Sequence, residues 1–106
     1  MPKKLVSEPR LHPNINARLA VWGRCVRVQR VRQKIKAVDF CTRIDISEST
    51  LRRLEAGDPS VAAGTYLAAL SALGLMDAVV PMPSATWFDG SAKSRVSTFG
   101  DDDDYF

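Results

Sequence analysis

The spacing of apolar residues constrains the fold of this chain more than any other feature of the sequence. Between Pro13 and Pro81 the apolar residues recur at three- and four-residue intervals, which places them on one face of an α-helix. No stretch sustains the alternation of apolar and polar residues that a half-buried β-strand requires. With 106 residues, the chain can bury one modest core. The sequence therefore predicts an all-α fold, a compact bundle of four or five short helices.

Proline, glycine and charge divide the chain into three predicted parts. Residues 1–13 hold three prolines and mixed charges, which predicts a flexible N-terminal arm. Residues 14–80 carry the helical spacing and predict the folded domain, whereas residues 81–106 are rich in Ser, Gly and Asp and predict a flexible acidic tail. Asn14 is the predicted N-cap of the first helix, and Gly74 is the predicted C-terminal cap of the fourth. The predicted helices cover residues 14–32, 37–43, 47–56, 63–73 and 75–80.

The overall charge of +3 conceals a strong gradient along the chain. Residues 1–55 contain thirteen Lys or Arg against five Asp or Glu, a net charge of +8. A basic region of this kind favours a polyanionic partner such as double-stranded DNA. The acidic run Asp101–Asp104 instead favours a basic protein surface, or competition for the surface that binds the polyanion.

Several function classes are disfavoured by what the sequence lacks. No apolar run approaches the ~20 residues needed to span a bilayer, and the basic start lacks the long apolar stretch of a secretory signal. Cys25 and Cys41 are not spaced as zinc ligands, and the single histidine, His12, lies in the proline-rich arm, where a general base is hard to order. No phosphate-binding loop or nucleophile motif is present. We therefore expect a cytoplasmic protein with two reduced core thiols, no metal, no cofactor and no enzymatic activity.

The second and third predicted helices combine the features that a helix-turn-helix requires. They flank a tight turn, and the small Cys41 in the first of the two lets the second pack across it. Ile46 supplies the apolar residue that follows the turn, and Leu51 and Leu54 place one side of the chain's third predicted helix in the core. Ser47 can cap this third predicted helix, whose polar N-terminal residues can then enter a major groove.

Residues 46–57, with the sequence ISESTLRRLEAG, resemble the core of the lambda repressor-like, Cro-type (XRE) helix-turn-helix family. With residues 58–75 included, the sequence is similar to the HipB-like antitoxin repressors of that family. The resemblance covers roughly residues 15–80. It implies a compact four- to five-helix lambda repressor-like DNA-binding domain and a sequence-specific transcriptional repressor.

The chain departs from the family pattern at the start of the second helix and in the turn. The family has a glutamine that donates to a phosphate and a Ser or Thr cap where this chain has Lys36 and Ala37. Loss of the cap weakens that helix terminus by about 1 kcal/mol, while Lys36 can bind a phosphate as a flexible cation. Asp45 replaces the usual glycine of the turn, and aspartate tolerates a left-handed backbone better than most residues.

The same resemblance implies which side chains contact DNA. Glu48, Ser49 and Arg53, at the N-terminal positions of the third helix and one turn later, are the expected base-contacting residues. Arg30 and Glu55 are expected to form an ion pair that orients the third helix and presents the guanidinium to a phosphate. The expected phosphate-contacting residues are Arg30, Lys36, Arg43 and Arg52.

The resemblance also implies a protein partner, a HipA-like kinase toxin, and autorepression of a shared operon. A stand-alone phage or chromosomal repressor without a toxin is one alternative, and a protein-binding module that has lost DNA binding is another. A homodimer is expected because one domain of this size offers few contacts to an operator. The apolar residues available for a dimer interface are Tyr66, Leu70, Leu75, Met76, Val79 and Val80.

Trp87 and Phe88 stand together in a stretch that is otherwise small and polar. Large aromatic side chains gain free energy only where they find a pocket. Two hypotheses follow: either the pair binds a toxin or dimer partner, or Trp87 folds back onto the helical bundle of its own chain.

Overall fold

A computed structural model describes residues 11–91, and all regular elements in this range are helices. The all-α prediction is therefore confirmed for the folded domain. Most of the predicted N-terminal arm, and residues 92–106 of the predicted tail with Asp101–Asp104, lie outside the described residues. The helices are α1 (Pro13–Arg32), α2 (Ala37–Ile44), α3 (Glu48–Glu55), α4 (Ala63–Ala72) and α5 (Met76–Val79), followed by one 3₁₀ turn at Ala85–Trp87. None of these helices combines the length and the apolar character that crossing a bilayer would require.

The first helix begins earlier than the sequence predicts. His12, not Asn14, is the N-cap of α1, and its Nδ1 accepts a hydrogen bond of 3.0 Å from the backbone N–H of Asn14. Pro13 occupies the first helical position, where a missing N–H costs nothing and the fixed φ of proline suits the helix. The imidazole thus replaces the amide side chain as the acceptor for the first turn.

The turn between α2 and α3 is fixed by local hydrogen bonds. Asp45 adopts the left-handed conformation, with φ 58° and ψ 55°, as its place in the turn predicts. Its N–H donates to the carbonyl of Thr42, and the N–H of Ile46 donates to that of Cys41 at 3.0 Å, the pattern of a Schellman motif. Ser47 then caps α3, because its Oγ accepts from the N–H of Thr50 at 3.0 Å.

The core lies where α1 and α2 both pack against α3 and α4. Tyr66 packs edge-on against Trp22 of α1, with ring centroids 6.0 Å apart, and its hydroxyl donates to the carbonyl of Asp58 at 2.8 Å. That hydrogen bond ties the turn after α3 to the core. The largest fully buried side chains are Val26, Phe40, Leu54, Tyr66 and Leu70.

Two glycines let α1 approach the end of α3 closely. A Cβ at Gly23 would collide with the carbonyl oxygens of Leu54 and Glu55. A Cβ at Gly57, which has φ +81°, would lie 2.6 Å from the Cα of Ala20. Both positions therefore require glycine, and the axial placement of α3 on α1 depends on them.

The predicted dimer surface is wrong at two residues. Tyr66 and Leu70 are 1% and 0% exposed, so they complete the core of one chain and are not available to a dimer interface. Of the two predicted core thiols, Cys41 is buried, whereas Cys25 is half-buried, packs against the edge of the core and also lines a surface groove. Leu75, Met76, Val79 and Val80 are partly buried.

Candidate nucleic-acid interface

The third helix presents a polar surface because its opposite side is anchored in the core. Leu51 and Leu54 are buried, and this fixes the rotation of α3 about its axis. The four side chains predicted to contact bases or phosphates from this helix are all exposed: Glu48, Ser49, Arg52 and Arg53. A short helix held in this way can enter a major groove with its N-terminal end leading.

A nearly buried ion pair joins α1 to the end of α3. The Nε of Arg30 donates to Oε2 of Glu55 at 2.8 Å, and Nη2 donates to Oε1 at 3.2 Å. The remaining Nη1 donates to the carbonyl of Ile35 at 2.9 Å, so the guanidinium also holds the loop before α2. The hydrogen bond to Glu55 raises the pKa of Arg30 above its ordinary value. This bidentate arrangement fixes α3 relative to α1 and α2.

Sequence reasoning missed Arg27, which is the better exposed partner of the same carboxylate. Its Nη1 lies 3.5 Å from Oε1 of Glu55, and its side chain is 64% exposed, against 10% for Arg30. An exposed guanidinium at this place can reach a phosphate more readily than one that already donates three hydrogen bonds within the protein. The three-residue spacing from Arg30 on α1 was the signal that could have found it.

The groups around this ion pair form a shallow recess of about 200 Å³ between α1, α2 and α3. Lys36 is the N-cap of α2 and makes no side-chain capping hydrogen bond, so the first N–H groups of that helix have no side-chain partner. Free N–H groups at a helix start favour an anion such as a DNA phosphate. The recess is lined by Arg27, Arg30, Ala37, Glu48, Leu51, Arg52 and Glu55.

The remaining predicted DNA contacts lie at separate places on this surface. Arg43 is exposed in the last turn of α2, away from the recess. The Nε of Arg53 lies 4.0 Å from Oδ2 of Asp58, and the Arg53 side chain is half exposed. Asp58 also accepts from the N–H of Ser60 at 2.8 Å, which lowers the pKa of that carboxyl. An exposed pair at this distance is weak, so Arg53 is free to turn toward a base.

The aromatic pair of the tail does not belong to this surface and does not fold back. Trp87, the last residue of the 3₁₀ turn that Ser84 caps, is 82% exposed, and Phe88, which follows it, is 64% exposed. The hypothesis that Trp87 covers its own bundle is therefore wrong. No cluster of three His, Cys, Asp or Glu within residues 11–91 is placed to hold a metal ion.

Two helices are joined by a tight turn, and the second of them buries its apolar side and exposes polar side chains at its start. This arrangement defines a helix-turn-helix protein. A comparison with protein families agrees: a family model described as a helix-turn-helix domain matches residues 22–81. The match covers more than half of the chain, which therefore belongs to this helix-turn-helix family. Searches of curated proteins and of solved structures found no significant match.

Proposed function

We propose that this protein is a sequence-specific transcriptional repressor that reads DNA with α3. The observation that supports this most is the rigid seating of α3. Its core side is buried, its N-terminus is capped by Ser47, and its C-terminal end is held by Arg30 through Glu55. The exposed residues of α3 are thereby pre-positioned to contact base edges. Binding to DNA then costs little conformational entropy, because the helix is already held in place.

Base recognition is assigned to Glu48, Ser49 and Arg53. Arg53 can donate two hydrogen bonds to the N7 and O6 of guanine, Glu48 can accept from the amino group of cytosine, and Ser49 can do either. Each good bidentate contact discriminates against a wrong base by about 1–3 kcal/mol. These three side chains therefore carry the sequence preference in the proposal.

Phosphate contacts are assigned to cations that surround α3. Lys36, Arg43 and Arg52 are exposed, and Arg27 joins them as the exposed member of the Glu55 cluster. Arg30 contributes mainly by fixing α3, since its donors are already engaged. Such contacts set affinity and register but carry no sequence information.

The test is a DNA titration with a duplex selected from a random pool. We expect a steep fall in affinity between about 50 and 200 mM salt, because bound cations release counterions from DNA. Lys36→Ala should weaken all duplexes alike and reduce the salt slope by about one unit. Arg32→Ala is the matched control, because it removes the same charge from an exposed position on the opposite face of α1. A DNA affinity that does not change with salt concentration would refute the proposal and favour a protein-binding module instead.

The resemblance to HipB-like repressors extends the proposal to an antitoxin. In this form the protein is a cytoplasmic homodimer that represses its own operon and binds a HipA-like kinase toxin. The exposure of Trp87 and Phe88 supports a protein partner for the tail, either the toxin or a second copy. Co-purification with the kinase encoded beside the gene, and its loss on deletion of residues 84–106, tests the toxin. A gene with no neighbouring kinase would instead favour the stand-alone repressor.

A further inference from the structure

An apolar groove of about 270 Å³ runs along α1 and reaches the start of α5. Its apolar lining consists of Val21, Cys25 and Val28 on α1 and of Leu75, which directly precedes α5. Arg24 and Gln29 are its polar lining residues. Val21 is 59% exposed, so the groove is open to solvent over much of its length.

The groove lies on the side of α1 that faces away from α3. Gly23 and Arg30 contact α3, and at about 100° per residue they share one face of α1. Val21, Cys25 and Val28 fall on the opposite face by the same geometry. A molecule bound in the groove would therefore leave the proposed DNA-reading surface free.

We propose that Trp87 and Phe88 of a second copy of this chain bind in the groove, so that two copies exchange their aromatic pairs reciprocally. The proposal rests on the proposed function only in giving the aromatic pair a protein partner. Under two-fold symmetry, the aromatic pair of each copy binds the groove of the other copy, so both pairs and both grooves are occupied.

The groove fits an aromatic ring in size. An apolar protein cavity of about 150 Å³ holds a benzene molecule, so about 270 Å³ accommodates the indole of Trp87, and the ring of Phe88 packs at the open edge of the groove. Charge is complementary as well, since Asp89 directly follows Phe88 and Arg24 borders the groove. Both features match this chain's own tail to this chain's own groove.

The exchange would bury a large share of the area that a stable dimer needs. Each large aromatic side chain can bury about 150–250 Å², so four of them supply about 600–1,000 Å² before the groove walls are counted. The groove walls add little to this, so the four rings account for most of the buried area and supply half or more of the roughly 1,200 Å² at the lower end of specific interfaces.

Analytical ultracentrifugation of matched variants tests the exchange. We expect a dimer for the unaltered chain, and dissociation constants raised at least 100-fold by Trp87→Ala with Phe88→Ala and by Val21→Glu. The controls are Val31→Glu, which changes an equally exposed valine of α1 outside the groove, and Met82→Ala, which removes an exposed apolar tail residue outside the pair. Both controls should stay dimeric. A monomeric unaltered chain, or aromatic-pair and groove variants as dimeric as the controls, would overturn the proposal.

Mixing the two defective variants gives a sharper result. The aromatic-pair variant keeps its groove, and the Val21→Glu variant keeps its aromatic pair, so a mixture should form heterodimers with one intact contact. We expect this heterodimer to form more tightly than either variant with itself. No gain on mixing would contradict a reciprocal exchange.

Disulfide trapping distinguishes a second copy from the same chain. Thr86→Cys keeps both aromatic rings and places a thiol next to them, where it should meet Cys25 of the other copy, and oxidised glutathione should then give a covalent dimer on a non-reducing gel. Adding Cys25→Ala should abolish that band, since Cys41 is buried. An intramolecular disulfide instead would show that the tail occupies its own groove and would overturn the proposal.

DNA binding is measured on the same variants so that the two proposals fail separately. If the aromatic-pair variant dimerises as tightly as the unaltered chain and DNA binding remains salt-dependent, only the proposed exchange is refuted. Dimerisation that depends on the pair, without DNA binding, refutes the repressor function alone.

Discussion

The ion pair between Arg30 and Glu55 gives the most direct test of how α3 is held. Glu55→Ala removes a carboxylate whose side chain is 8% exposed and leaves the guanidinium of Arg30 with one hydrogen bond, to the carbonyl of Ile35. Unpairing a buried charge costs about 3–5 kcal/mol, and the residual solvent contact of this pair puts the expected loss near 3 kcal/mol. For a small domain this lowers the melting temperature by about 12–24 °C.

Thermal unfolding followed by circular dichroism measures this loss. Glu48→Ala is the matched control, because it removes the same side chain from an exposed site at the other end of α3. We expect that variant to lose less than about 1 kcal/mol. Replacing both partners, with Arg30→Met added to Glu55→Ala, should recover stability, since no unpaired charge is then left in the interior. Equal losses for Glu55→Ala and Glu48→Ala would refute the conclusion that this pair holds α3.

Three further predictions follow from the described contacts. Gly23→Ala should destabilise the domain by about 1–3 kcal/mol in denaturant titrations, because its Cβ would collide with the backbone of α3; an unchanged midpoint would contradict the close approach. Arg53→Ala should cost about 1–3 kcal/mol of operator affinity and relax the preference at one base pair, whereas a uniform loss across sequences would make Arg53 a phosphate contact. Burial raises the pKa of Tyr66 to about 12, so the unfolded chain ionises first, and stability should be lost as the pH rises from about 10 to 12. Tyr66→Phe removes this contribution, so the stability difference between the unaltered chain and Tyr66→Phe should shrink over that range; a constant difference would show that Tyr66 is not involved.

The sequence by itself determined the helices and the turn of the helix-turn-helix. Ser47 caps α3 by accepting a hydrogen bond from the N–H of Thr50 in the first turn of that helix, and Asp45 adopts the left-handed conformation at the end of α2. These interactions join residues a few positions apart, so the local sequence suffices to predict them. The N-cap of α1 is the exception: the sequence favoured Asn14, but the N-cap is His12, two residues earlier, and Pro13 occupies the first helical position.

Only the tertiary structure decided which side of each helix is covered. Tyr66 and Leu70 look as available to a partner as Leu75 does in the sequence, yet the first two are buried and Leu75 borders an open groove. The place of Arg27 beside Glu55, and of Cys25 in the groove, likewise follows from how α1 lies across α3. The physical reason is that spacing specifies an apolar face, but burial depends on which distant elements pack there. Here that packing depends on Gly23, which lets the backbone of α1 meet the end of α3.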